Sequence, residues 1–265
     1  MNFKLNALVA TLVMAASAPA FAIIGNGADG NGELFFSIWD SANSYTRDLN
    51  ITLNDFETAV AAGGALNLSY AADATLTSFL STANSSELKF NVIAVDAQGA
   101  RRALETFTAP LPGTTIGNDI LRTVIGATTT LANEINVKLA CGTVLLGCNP
   151  TGGDSATFAV GTDGYIGRSE FSDNNGGLLN FSNSGDLSTN SAANGLSVMR
   201  INGLATGIAK STYTPYLDGA APVKIFLDSN NALQISAVPE AETYAMMLAG
   251  LGLVGFMVRR RNTRV

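Results

Sequence analysis

Two apolar segments lie near the ends of this 265-residue chain, and they limit the part that can fold as a domain in water. The first occupies residues 5–16 and the second residues 243–258. Apolar runs in these positions are typical of export and membrane signals rather than of a domain core. The 215 residues from 23 to 237 are left to form the body of the protein, which is long enough for one large domain or two small ones.

The first 22 residues have the three parts of a signal peptide. A basic start containing Lys4 precedes the apolar run, and small residues follow at Ala20 and Ala22. This pattern predicts cleavage after Ala22, so that the mature chain begins at Ile23 outside the cytoplasm. The alternative is an uncleaved anchor, which is disfavoured because the run is short and lacks a basic stop.

Export bears on the chemical state of the two cysteines of the chain, Cys141 and Cys148. An oxidising compartment favours joining them in a disulfide. The bond would close a loop of eight residues and contribute ~2 kcal/mol on the chain-entropy model. A redox-active or metal-binding pair is the alternative, but it requires a Cys-x-x-Cys spacing or further ligands.

Composition excludes several classes of function. The chain has no histidine, which excludes Ser-His-Asp and Cys-His catalysis and zinc held by histidine. Between the two apolar segments, ten basic residues face 21 acidic ones, a net charge of −11. Such a surface repels phosphates, so we expect no nucleic-acid partner. The charged fraction of 14% and the 27 glycines are typical of an exported, β-rich protein.

The body has the alternation and turn residues of a mainly β protein. Hairpins are predicted at the turns 96–99 and 229–231, and turn residues also separate the first two strands. The predicted strands are 33–40, 44–53, 88–97, 100–109, 155–161, 196–204, 211–217, 223–228 and 232–236. Together they predict an antiparallel β-sandwich.

One segment, residues 115–140, breaks the β pattern. Its apolar residues recur mostly at spacings of three or four, which predicts an amphipathic helix packed on the sheet. Asn118 could cap its start and Gly142 follows its end. The three consecutive threonines at 128–130 have a low helix propensity and could interrupt this helix. We therefore expect the sandwich to carry one helical insertion.

Few residues of the body suggest chemistry. The Gly-x-Gly-x-x-Gly matches at 25–30 and 250–255 lack the strand and helix of a dinucleotide site. Asp163, Glu170 and Asp173 form the nearest acidic cluster. Their oxygens could bind Ca²⁺, although the spacing is not that of an EF-hand, and a carboxylate pair could hydrolyse a sugar. Asp, Asn and Gly clusters otherwise form turns, so calcium stays a weak prediction and no cofactor is expected.

Trp39 is the only tryptophan, and it lies on the predicted strand 33–40. An exposed tryptophan could stack on a sugar ring, which would suit a carbohydrate-binding surface. A tryptophan in an apolar strand belongs more often to the core. We therefore predict that Trp39 is buried.

The second apolar segment carries opposite charges at its two ends. Glu240 and Glu242 precede it, and the arginines at 259–261 and 264 follow it. As a helix its 16 residues would extend about 24 Å, less than the roughly 30 Å of a bilayer core. The positive-inside rule places the arginines in the cytoplasm and the body outside. A buried core helix is the alternative, but it would not need an arginine cluster.

The stretch VPEAETYAMMLAGLGLVGFMVRRR resembles the PEP-CTERM sorting signal of Gram-negative bacteria that make exopolysaccharide. In that family a Pro-Glu-Pro motif precedes a short Gly- and Leu-rich helix and an arginine cluster. Ala241 stands where the second proline is expected. The resemblance implies processing by exosortase, a membrane protease-transpeptidase. The residues that match are Val238, Pro239, Glu240, Thr243, Tyr244, Ala245, the helix at 248–256, Arg259, Arg260 and Arg261.

These features together predict an exported, non-enzymatic protein of the cell surface or extracellular matrix. We expect a signal peptide at 1–22, a secreted β-sandwich at 23–237 and a sorting signal at 238–265 with a transmembrane helix near 243–258. The protein would be anchored in the inner membrane before processing. The alternatives are a module that binds exopolysaccharide and, less favoured, a polysaccharide hydrolase.

Overall fold

The computed structural model describes residues 23–63, 66–99, 101–139, 153–171, 173–191, 194–204 and 209–237. This part contains strands β1 Glu33–Trp39, β2 Asn43–Thr52, β3 Asn67–Tyr70, β4 Lys89–Asp96, β5 Arg102–Phe107, β6 Ser155–Ala159, β7 Gly185–Asp186, β8 Leu196–Asn202, β9 Thr212–Pro215, β10 Leu217–Asp218, β11 Ala221–Leu227 and β12 Leu233–Ala237. Its helices are α1 Leu53–Ala61, α2 Ala74–Thr82 and α3 Asn118–Asn136, with a short 3₁₀ turn at Leu187–Thr189.

The strands form one antiparallel sheet, and the predicted sandwich of two sheets is not confirmed. The hydrogen-bonded order is β3-β12-β11-β8-β5-β4-β1-β2-β6 without a break, while β7, β9 and β10 pair beside this path. Leu68 of β3, at one end of the order, nevertheless shares a core cluster with Tyr45 of β2, the strand next to the other end. The sheet must therefore curl, so that its inner face closes around that cluster.

The two predicted hairpins, β4–β5 and β11–β12, are confirmed in the described sheet, and the turn predicted between the first two strands also joins a hairpin. β1 pairs with β2, with Phe36 opposite Arg47, and β4 pairs with β5, with Ala94 opposite Leu104. The last predicted hairpin is the β11–β12 pair, in which Ile225 faces Ile235. Turn residues between alternating strands were therefore a sufficient signal for these local pairings.

The inner face of the sheet carries the large core cluster named above, which we call the inner cluster. Leu34, Phe36 and Ile38 alternate along β1 and point into the inner cluster, as the two-residue period of a strand requires. Helices α1 and α2 close this cluster with Phe56 and Phe79. Each of these side chains is at most 5% exposed. Burial of large apolar side chains, each contributing roughly 1.5–3 kcal/mol, makes this face the main source of stability.

Helices α1 and α2 correct the prediction of a single helical insertion. Each begins at a capping side chain that follows extended backbone. Thr52 accepts a hydrogen bond from the N–H of Asp55 at 3.2 Å, and Asp73 accepts from the N–H of Leu76 at 2.7 Å. The caps allow short segments of mediocre helix propensity to form because the apolar face of each helix is then buried.

Helix α3 covers the outer face of the sheet and confirms the predicted amphipathic helix. It continues without interruption through residues 128–130, and Thr128 is one of its buried residues. Asn118 is not the cap that the sequence predicted. It is the first helical residue, and its side chain bonds both backbone groups of Leu204, at 2.7 and 3.2 Å.

Two apolar clusters lie under α3. The first outer cluster includes Phe35, Trp39 and Leu131, and the second includes Ala103, Phe107 and Leu121. None of the helices in the described ranges is long and apolar enough to cross a membrane. The predicted signal peptide at 1–22 and the predicted membrane helix near 243–258 lie outside those ranges.

Candidate functional site

A polar cleft of about 450 Å³ opens where β4, β7, β8 and β11 approach one another. Its walls carry two lysines and two aspartates together with small polar side chains. These charged residues are Lys89, Lys224, Asp173 and Asp186. The volume is that of an ordinary small-molecule site. What the cleft can bind therefore depends on how many of its polar groups are free of hydrogen bonds within the protein.

Most polar groups of this cleft are already engaged with the protein itself. Asp173 pairs with Lys89 and accepts a hydrogen bond from Ser184. Lys224 donates to Ser197 at 2.9 Å, and Asn190 donates to the carbonyl of Leu227 at 2.7 Å. The side chains that line the cleft are consequently hydrogen-bonded to one another or to the backbone, and few donors are left for a ligand.

The charge state of Asp173 argues against acid catalysis in the cleft. Burial pushes its pKa upwards, but the hydrogen bonds from Lys89 and Ser184 outweigh burial, and the net pKa lies below the usual value. A glycosidase needs one carboxyl group whose pKa is raised so that it can donate a proton. Asp173 is ionised instead, which removes it as the acid of the predicted carboxylate pair.

The three predicted calcium candidates do not form one cluster. Asp163 is exposed and lies 3.7 Å from Arg168, while Asp173 belongs to the polar cleft. Glu170 is also exposed and lies 3.4 Å from the hydroxyl of Ser169. Over the described ranges, no group of three or more Asp, Glu, His or Cys residues is placed to hold a metal ion. Turns in this region are abundant, as the alternative interpretation predicted.

Trp39 is buried in the first outer cluster, with only 4% of its surface exposed. This confirms the prediction that it belongs to the core. Gly167 packs closely against it, since a methyl group added there would lie 2.9 Å from the Trp39 ring. The ring therefore has no free face for stacking on a sugar, and the carbohydrate-binding alternative loses the residue on which it rested.

A second charged site lies at the end of the β4–β5 hairpin, and we call it the arginine groove. It encloses about 210 Å³ and is lined by Asp96, Gln98, Arg101, Arg102, Arg200 and Asn202. Beneath it Glu57 of α1 lies 2.5 Å from Arg102 and 3.2 Å from Arg200, and accepts a hydrogen bond from Tyr216 at 2.8 Å. Glu57 thus fixes two guanidinium groups at the rim of the inner cluster.

Two carboxyl side chains are also buried, Glu105 of β5 and Asp48 of β2. Glu105 is fully buried beside Ala103 and Phe107, and the amide of Asn183 donates to it at 3.0 Å. Burial raises the pKa of Glu105 to about 8 because the ionised form loses its hydration. Asp48 behaves in the same way, with burial raising its pKa to about 7. Both carboxyl groups therefore titrate near neutral pH.

The sequence did not reveal the arginine groove. Arg102 faces Asn202 across the β5–β8 ladder, so residues about a hundred positions apart meet only through strand pairing. The one local signal was the double arginine at 101–102 after the turn DAQG. That signal shows two charges but not the third arginine or the glutamate that joins them.

The other predicted site residues lie outside the described part of the chain. They are Cys141, Cys148, Val238, Pro239, Glu240, Arg259, Arg260 and Arg261. The disulfide accordingly stays a prediction.

Comparison with known proteins assigns the end of the chain. The family model described as a PEP-CTERM protein-sorting motif matches residues 237–261. The match confirms the resemblance and supports an exported protein that exosortase sorts through its C-terminal segment. No curated protein and no solved structure matches the chain. The matched motif comprises the sorting segment and not the folded body.

Proposed function

We propose that this chain, which carries a PEP-CTERM sorting motif at residues 237–261, is a non-enzymatic protein of the cell surface or extracellular matrix. The motif is the observation that carries the proposal. A signal peptide at 1–22 directs the chain through the Sec-type pathway, and cleavage leaves Ile23 as the first residue. The body then folds outside the cytoplasm.

The second apolar segment holds the exported body at the inner membrane until it is processed. Its 16 apolar residues are marginal for a span, which suits a segment that is recognised and removed. The arginines at 259–261 remain on the cytoplasmic side, as the positive-inside rule predicts. Exosortase is the processing partner, and its action transfers the body to the surface or matrix.

Two observations support a structural rather than an enzymatic role for the body. The chain has no histidine, the side chain most often used as a general base near neutral pH. In the polar cleft, the carboxyl group of Asp173 is tied to Lys89 and Ser184 instead of facing a substrate. The body therefore acts through its presence at the surface and not through turnover.

Subcellular fractionation of two variants tests this proposal. Replacing Arg259, Arg260 and Arg261 by glutamine removes the charge that retains the tail in the cytoplasm. We expect the wild-type body at the cell surface or in the matrix, and the triple variant lost from both and recovered as unprocessed chain.

The matched control is Arg122→Gln, which removes an exposed arginine from α3. This variant should be sorted as the wild type is. Retention of the wild-type body in the cytoplasm, or normal sorting of the triple variant, would contradict the proposal.

A further inference from the structure

The arginine groove contains guanidinium donors that the fold leaves unused. Arg102 is fully engaged, by Asp96 at 3.2 Å, by Glu57 at 2.5 Å and by the amide oxygen of Asn54. Arg200 donates from Nη1 to Glu57, and no described residue accepts from its Nη2. The side chain of Arg101 makes no hydrogen bond or ion pair with any residue in the described ranges. Two of the three arginines can therefore donate to a ligand.

The backbone of Arg101 adopts an unfavourable conformation that is nevertheless firmly held. Its φ is +58°, in the left-handed region that favours glycine. Its N–H donates to the carbonyl of Gln98, and its carbonyl accepts from the N–H of Gly203, both at 2.9 Å. Local strain that the surrounding structure maintains is typical of functional positions. The loop thus presents a long cationic side chain where a glycine would fit with less strain.

Charge and size indicate the kind of ligand. The groove collects three of the ten basic residues between the two apolar segments. Glu57 and Asp96 balance two of them, so one positive charge remains on an otherwise acidic body. The guanidinium fork matches the paired oxygens of phosphate, sulfate and carboxylate groups. About 210 Å³ is less than the roughly 300 Å³ at which drug-sized sites begin, so the groove suits one such group.

We propose that the arginine groove binds a small oxyanion between Arg101 and Arg200, with Arg102 as a fixed positive charge behind it. The ligand is a free inorganic anion or the anionic end group of a larger molecule, since the recognised chemistry is the same. This binding site is additional to the sorting function and does not depend on it.

Titration of the full chain, followed by NMR shifts of the groove residues, tests the site. The probes are inorganic phosphate, sulfate and acetate, with sodium chloride keeping the ionic strength constant. We expect at least one probe to bind with a dissociation constant of roughly 1 mM, and Arg101→Gln to weaken it about tenfold. Methyl phosphate distinguishes the source: binding equal to that of phosphate indicates an end group, and weaker binding indicates the free ion.

Two further variants separate charge from geometry. Arg101→Lys keeps the charge but loses the fork, so it should restore only part of the affinity. Arg122→Gln removes an exposed arginine of α3 outside the groove and should bind as the wild type does. Melting curves of the Arg101 variants should match the wild-type curve, because this side chain supports no described contact. Equal binding by Arg101→Gln and wild type, or no shift of groove resonances with any probe, overturns the proposal.

Discussion

The body and the tail of this chain carry different kinds of information. The described part of the body, within residues 23–237, builds a curled sheet with three helices, and no curated protein and no solved structure matches the chain. The tail, residues 238–265, contains almost all of a recognised sorting motif. A destination can be encoded by charge and apolar length in a short segment, whereas a fold requires contacts between distant residues. The two regions should therefore respond independently to mutation, and the following changes test that independence.

The largest expected effect comes from ending the chain at Ala241. This truncation removes most of the motif but keeps β12, which ends at Ala237. We expect complete loss of C-terminal anchoring and processing, measured by fractionation, because the second apolar segment and the arginine cluster are removed. The melting temperature of the body should stay within about 2 °C of the value for the wild-type body, since the sheet is intact. A body that fails to fold after truncation would show that the tail belongs to the domain.

A cavity in the inner cluster should have the opposite effect. Phe36 is 1% exposed and lies edge-on to Tyr45, with ring centroids 6.2 Å apart. Phe36→Ala should lower the free energy of unfolding by about 3–5 kcal/mol, as measured by urea denaturation. The control Leu111→Ala, at an exposed site, should change it by less than about 0.5 kcal/mol. If Phe36→Ala blocked processing of the tail as well, the two regions would not be independent.

The free energy of unfolding of the body should depend on pH, because a carboxyl group is buried on the outer face of its sheet. The pKa of Glu105 is about 8 in the folded state and near 4.3 in the unfolded state. The folded state therefore holds the proton more tightly, and this stabilisation is complete below pH 4 and is lost as the pH rises to about 8.

Glu105→Gln tests that dependence through urea denaturation at pH 5 and pH 9. Glu105 should account for a loss on the order of 4 kcal/mol in the free energy of unfolding over this range, and the variant should lack this contribution. A residual loss is expected from Asp48, whose pKa is about 7. Identical pH profiles for the two proteins would show that Glu105 does not titrate in this range.

The smallest effect is expected within the tail. Ala241→Pro restores the second proline of the motif that the tail resembles, so processing should become severalfold faster in a pulse-chase experiment. Asn262→Pro lies one residue beyond the matched range and serves as the control. Slower processing of Ala241→Pro would mean that the alanine is itself part of this recognition sequence.

Sequence patterns predicted the parts of the fold that depend on neighbouring residues. The hairpins β1–β2, β4–β5 and β11–β12 were visible because turn residues separate their strands. Helix α3 was visible because its 19 residues repeat an apolar stripe. Burial of Trp39 followed from its apolar strand.

The remaining features depend on long-range contacts. Helices α1 and α2 have nine residues each, too few for a clear period, and they form because the curled sheet buries Phe56 and Phe79. Whether the strands make one sheet or two is decided by the continuous order of pairing, which alternation along single strands does not contain. The arginine groove was missed for the same reason, since Arg102 and Arg200 meet through the β5–β8 ladder.

Mass spectrometry of the terminal peptides of the mature protein tests the central claim most directly. The protein would be isolated from the cell surface or matrix, digested, and searched for its first and last peptides. We predict a new N-terminus at Ile23 and a C-terminus near Glu240, with the arginines at 259–261 removed. A surface protein that still begins at Met1 or still ends at Val265 would contradict it.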